Sequence, residues 1–181
     1  MTTISTVAIL GAGQMGAGIA QAVALGGYSV RLYDVVADRL PLAQGEIDAP
    51  GTVDAPLARD PIVRTRRTVH PLGKQAITHF EIEERFPSAT LLRCRLETGR
   101  THQIRVHMKH IGHPLVGDKT YSNVRRGRAM TFPRQALHAA KLALDHPYTG
   151  VRMEWEAPLP EDMETLLTLM RAGGTWGAVE D

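Results

Sequence analysis

The chain has 181 residues, of which 43% are hydrophobic and 22% charged, with a formal net charge of +2. That profile fits one ordinary soluble domain, or a small domain with a fragment attached. It excludes a disulfide scaffold, since Cys94 is the lone cysteine, and a helical membrane protein, since no apolar run approaches the length of a bilayer span. No signal-peptide pattern is visible in MTTIST or the residues after it, so a cytoplasmic location is expected.

In chain order, Thr6 to Leu10 is an apolar run that ends at Gly11 and reads as a strand. Met15, Ile19, Ala22 and Val23 then recur at helical spacing until Gly26 and Gly27. Tyr28 to Tyr33 reads as a second strand, and a second helix is expected to start near Ala37, limited by Pro41. Residues 45–61 hold Pro50, Pro56 and Pro61 and read as an extended linker or strand edge, so a domain boundary is placed near residue 45.

Beyond it the pattern is β-rich. Thr78, Phe80 and Ile82 alternate with His79, Glu81 and Glu83, and Leu92, Cys94 and Leu96 alternate with Arg93, Arg95 and Glu97. Pro87 and Ser88 lie between the two runs, which predicts an antiparallel pair with Cys94 facing inward as a packing residue. Thr101 is the expected N-cap of a helix through Ile111, ended by Gly112. Residues 122–134 read as a basic loop, Leu137–His146 as either helix or strand, and Pro160–Ala172 as an amphipathic helix with acids in its first turn.

Two constellations carry chemistry. GAGQMG, residues 11–16, follows a strand and opens a helix, as a dinucleotide fingerprint requires. Gly11 would allow the tight turn, Gly13 the approach of a pyrophosphate and Gly16 close helix packing, with Asp34 placed to accept ribose hydroxyls. That acid favours NAD over NADP. VAILGAGQMGAGIAQAVALGGYSVRLYD resembles the N-terminus of the 3-hydroxyacyl-CoA dehydrogenases. The resemblance covers residues 1–44 and implies an incomplete Rossmann βαβ unit, without the His–Glu region that family uses. NAD there is the cofactor to test, with weak or no binding expected.

The second constellation is basic. Residues 93–128 carry nine Lys or Arg against Glu97 and Asp118, whereas residues 151–181 are acidic. Such a block points to a polyanion, or else to a solvated face. Within it, LETGRTHQIRVH places Arg100, His102, Gln103, Arg105 and His107 at the start of the expected helix, where a phosphate is well served. Lys109 and the loop residues Arg125, Arg126 and Arg128 extend the candidate RNA-binding set. His102, His107, His110 and His113 give no clean metal-ligand spacing, and HExxH and CxxC are absent, so no metal is expected.

GTVDAPLARDP, GKQAITHF, LETGRTHQIRVHMKHIGHPLVGDKTY, RQALHA and DHPYTG follow one another in an order that resembles the C-terminal half of the RluA-type RNA pseudouridine synthases. The resemblance covers residues 45–181. It implies an α+β fold with a mixed, mainly antiparallel sheet and helices, and isomerisation of uridine in structured, ribosomal RNA without a cofactor. It makes Arg105 the partner of a catalytic aspartate and Leu137 a residue of the base pocket. That aspartate lies in an Arg-Leu-Asp segment upstream, followed by a tyrosine, and no RLD tripeptide occurs in these 181 residues. The expectation is a synthase half whose Arg105 holds a carboxylate this sequence does not supply. The alternatives are an RNA-binding remnant without catalysis and an NAD-binding dehydrogenase-like fragment. Oligomeric state is left open.

Overall fold

The structure is a computed structural model that describes residues 6–10, 29–33, 36–122, 132–146, 148–174 and 176, with side chains from residue 39 onward. Gly11, Gly13, Gly16 and Asp34 of the dinucleotide reading lie outside the described residues, as do Arg125, Arg126 and Arg128. β1 (Thr6–Leu10) and β2 (Ser29–Tyr33) pair in parallel as a two-stranded sheet of their own.

The main body is a six-stranded sheet. Its strands are β3 (Val36–Gln44), β4 (Gly51–Asp54), β7 (Ile77–Phe86), β8 (Ala89–Leu96), β9 (Leu137–Asp145) and β10 (Arg152–Glu156). They lie in the order β10-β9-β3-β8-β7-β4, and every neighbouring pair is antiparallel. A small hairpin of β5 (Leu57–Arg59) and β6 (Arg67–Val69) stands apart. Two helices complete the described chain, α1 (Gln103–His110) and α2 (Glu161–Arg171). Neither is long and apolar enough to cross a membrane.

The β7–β8 hairpin follows its alternation: Thr78 and Phe80 on β7, and Leu92 and Cys94 on β8, are buried. Phe86 pairs with Ala89 across the Pro87–Ser88 turn. A register shift between Ile82 and Glu84 accommodates an extra residue in β7.

The sheet is covered on both faces, which is why β8 reads as nearly continuous burial. Successive strand residues point to opposite sides. Leu42 and Leu91 fall in a cluster with Met163, Leu166, Leu167 and Met170 of α2. Their neighbours Ala43 and Leu92 fall in the opposite cluster with Ile104 and Met108 of α1.

One strand differs from expectation and another settles an open alternative. Residues 36–44, assigned from sequence to the N-terminal unit and partly to a helix, form β3, a central strand between β8 and β9. The six-stranded sheet therefore starts before residue 45. Proline in a central strand argues against a strand on sequence grounds, because it cannot donate to the ladder. The chain tolerates Pro41 because the pairing with β8 runs through Arg39 and resumes at Leu42, skipping Leu40 and Pro41. Leu137–Asp145, ambiguous by periodicity, is a strand, because β3 and β10 flank it and satisfy its backbone on both sides.

Cys94 is fully buried, and burial pushes its thiol up to about 12. The native chain should be inert to a thiol-specific chromogenic disulfide and should release one equivalent of chromophore only on denaturation. Stoichiometric labelling of the native protein would show that the packing between β8 and α1 is open.

Candidate RNA-binding and catalytic site

The site is assembled where β8 turns into α1. Thr98 is the hinge: its hydroxyl accepts the Ile77 N–H at 3.0 Å and donates to Gln103 Oε1 at 2.8 Å. Gln103 Oε1 also accepts the Arg100 N–H, and Gln103 Nε2 donates to Ile77 O and Thr78 Oγ1. One amide thus joins the turn, the helix and β7.

His102, not Thr101, is the N-cap residue. Its backbone is left-handed, with φ of 59°, and its side chain makes no capping bond to the helix. A non-glycine residue holds that conformation only when its surroundings fix it. Here the fixing partner is Tyr121, whose ring lies edge-on to His102 and whose hydroxyl is 2.8 Å from Nδ1. The hydroxyl already accepts the Arg67 N–H at 2.9 Å, so its own proton is left for His102 Nδ1. Burial, then the charge of Arg105, hold His102 below its ordinary pKa, in keeping with a neutral ring. Tyr121 carries no sequence signal beyond its place in GDKTY, and the sequence reading missed its part in this arrangement.

Arg105 meets a carboxylate within this chain. Its Nε and Nη2 donate to Asp118 Oδ2 and Oδ1, both at 2.8 Å, and its guanidinium lies 4.9 Å from the Tyr121 ring centroid. The Asp118 side chain is fully buried, and Oδ1 also accepts the N–H groups of Thr120 and Tyr121. Burial works to raise the Asp118 pKa, but the Arg105 fork and the two backbone donors outweigh it and hold the carboxyl below its usual range. The sequence reading, which left Arg105 without a carboxylate, is corrected in this respect.

Two of the expected RNA contacts are interior residues. Gln103 is buried with both ends of its amide engaged, and His107 is completely buried. His107 Nε2 donates to Ala55 O at 2.9 Å, and its Nδ1 accepts the Thr78 hydroxyl at 2.9 Å. Neither offers a polar group to a ligand, because the relay from Gln103 through Thr78 to His107 uses them all. Arg100 is half-buried and donates from Nε to Gln75 O. Lys109 is exposed, with its ammonium 5.8 Å from the Tyr121 ring centroid. Leu137 is half-buried, packed against the cluster that includes Ile104 and Met108. Among the described residues no group of three or more His, Cys, Asp or Glu side chains is placed to hold a metal.

Residues 27–110 match the family model described as RNA pseudouridylate synthase. The match starts at residue 27, inside the segment that the dinucleotide reading takes as its own. The chain is 49% identical over 154 residues to ribosomal large subunit pseudouridine synthase D of Escherichia coli K12, covering 80% of this chain and 47% of that protein. It is 52% identical over 141 residues to the protein of the same name from Pasteurella multocida, covering 72% of this chain and 44% of the relative. The chain thus spans about half the length of the curated relatives it matches. Among solved structures, human RNA pseudouridylate synthase domain containing 1 superposes with a TM-score of 0.62 at 24% identity, covering 90% of this chain and 74% of that one. Human RNA pseudouridylate synthase domain containing 4 gives 0.59 at 20% identity, covering 87% and 67%. At these identities the two structures bear on fold alone.

His107 makes a pH-dependent contribution to stability. Burial holds its pKa below the ordinary value. The unfolded chain therefore binds the extra proton first, so stability is complete above pH ~6.5 and falls as pH drops toward the folded-state pKa. Urea unfolding of His107→Gln, which cannot ionise, should show a shallower loss between neutral and mildly acidic pH. At neutral pH the variant should be less stable by about 1–3 kcal/mol. An unchanged pH slope would show that another group carries the dependence.

Proposed function

Residues 27–110 match the RNA pseudouridylate synthase family model, and from that match we propose that this chain is the RNA-docking and arginine-bearing half of a uridine-to-pseudouridine isomerase site. Its substrate class is structured RNA, ribosomal RNA in the first instance. The observation that carries the reading is the GRTHQIR run, matched to the family and folded as a turn and helix that hold Arg105 rigidly. In the family's chemistry the C1′–N1 bond of uridine breaks on an aspartate, the base rotates, C1′–C5 forms, and the C5 proton is exchanged for one on N1. No organic cofactor or metal is called for.

Arg105 acts in this proposal as a positioning residue. With Nε and Nη2 committed to Asp118, Nη1 is the part of the fork left to orient an incoming aspartate and favour its ionised form. Asp118 itself is not a candidate nucleophile. It is fully buried, and four donors already occupy its two oxygens. A carboxylate so engaged is a poor attacking group.

We also infer that these 181 residues by themselves are impaired in turnover, because no Arg-Leu-Asp run is present to supply the nucleophile. The dinucleotide reading loses residues 36–44 to the six-stranded sheet, and the parallel β1–β2 pair is the observation in keeping with the remainder. Weak or no NAD binding remains the expected result there.

The test is carbodiimide modification of ribosomal RNA read by primer extension. The chain alone should give no pseudouridine stop. Adding the family's aspartate-and-tyrosine segment ahead of the sheet should produce one, and Arg105→Ala in that restored protein should remove most of it while largely keeping RNA affinity. A stop produced by the chain alone, and abolished by Arg105→Ala, would show that another carboxylate is catalytic.

A further inference from the structure

We propose that the hollow between the β5–β6 hairpin and the turn into α1 is a binding site for a backbone phosphate of RNA, held by Arg59, Arg67, Lys74 and Arg100. The assignment rests on the RNA reading above and adds to it a defined place and a set of ligating groups. The hollow measures about 260 Å³, and these four cations line it together with Leu72 and Thr101, with no carboxylate among the described residues of the wall.

Four observations point to an anion. Arg59 and Arg67 are direct cross-strand partners in the hairpin ladder. Like charges in that position repel, and an anion between them converts the repulsion into attraction. Next, among the described residues none of the four cations is in an ion pair with a carboxylate. The nearest acid in sequence, Asp60, accepts the N–H groups of Ile62 and Val63, and its charged neighbours are Arg66 and Lys109 rather than the cations of the hollow.

The wall is also rigid before any ligand arrives. Lys74 and Leu57 exchange two backbone hydrogen bonds at 2.8 Å, and Gly73 presses so closely on Leu57 that a Cβ there would lie 2.6 Å from its backbone. Arg100 is anchored through Nε to Gln75 O at 3.0 Å, which leaves the rest of its fork to meet an anion. The Arg67 backbone is tied to the Tyr121 hydroxyl, linking the hollow to the Arg105 site. Finally, Leu72 is 90% exposed beside the cations. An apolar side chain next to a cationic cradle suits the sugar or base attached to a phosphate better than a bare inorganic ion.

Arg59 and Lys74 are exposed, so their substitution leaves the core intact. The experiment measures binding of a fluorescent ribosomal RNA hairpin by anisotropy across a salt series, and of uridine 5′-monophosphate by calorimetry. It compares wild type with the double variant Arg59→Gln/Lys74→Gln and the distant control Arg152→Gln. The double variant should bind the hairpin roughly tenfold or more weakly, and its log–log salt slope should shrink by about 0.7–0.9 for each phosphate it no longer neutralises. The control should match wild type. Arg59→Gln alone should raise the melting temperature of the free protein, because it relieves the repulsion with Arg67; an architectural role would lower it. Hairpin affinity and slope unchanged in the double variant, or equally reduced in the control, overturn the assignment while leaving the RNA reading intact. Loss of mononucleotide binding with hairpin affinity unchanged assigns the hollow to a free nucleotide and overturns the RNA-backbone assignment. No hairpin binding by wild type overturns both the assignment and the RNA reading.

Discussion

The bidentate contact between Arg105 and Asp118 fixes most of what surrounds it. Asp118 draws the Thr120–Tyr121 backbone onto its Oδ1 while both its oxygens hold the arginine of α1. That places the Tyr121 ring under Arg105 and its hydroxyl against both His102 and the Arg67 backbone. The left-handed turn at His102 and the position of the β5–β6 hairpin follow from the same tyrosine. A buried ion pair is costly to desolvate, and it is retained here with four donors on one carboxylate. Its structural consequence is orientation: an arginine whose Nε and Nη2 are bound cannot swing away from the surface that α1 presents.

A second network is neutral. Gln103, Thr78 and His107 form a buried chain of hydrogen bonds from the β8–α1 turn through β7 to Ala55. It secures α1 against the sheet without charge. Because every polar atom in it is matched, the helix start is rigid, and exposed groups such as Lys109 stand on a fixed base. Rigid support is what an RNA-recognising surface needs if phosphate contacts are to set the register of the bound strand. Charge on the described surface is also uneven, with the hollow cationic and three acids in the first turn of α2, which packs on the opposite face of the sheet from α1.

Much of this was legible in the sequence, for identifiable reasons. The β7–β8 hairpin was readable because its two strands alternate cleanly on either side of a Pro-Ser turn. α2 was readable because its acids and apolar residues follow helical spacing. β3 was not, because Pro41 carries a rule against central strands and only the tertiary pairing shows that its missing N–H falls where the ladder has a gap. The site was legible as a run but not as an arrangement. Gln103 and His107 look like surface polar residues because nothing local reveals that Thr78 and Ala55 lie against them. Arg105 looked unpartnered because its carboxylate is thirteen residues away and is reached only once the chain turns at Gly117. Tyr121 gave no signal beyond its place in GDKTY, since its role depends on three residues from other segments.

The central claim is that Arg105 and Asp118 act as one unit that organises the site. A double-mutant cycle of Arg105→Gln and Asp118→Asn, measured by urea unfolding at neutral pH, tests it most directly. The account predicts that either single change costs about 3–5 kcal/mol by leaving its partner's charge buried and uncompensated, and that the double variant costs much less than the sum. Strictly additive losses would contradict it, showing that the two residues stabilise the chain independently.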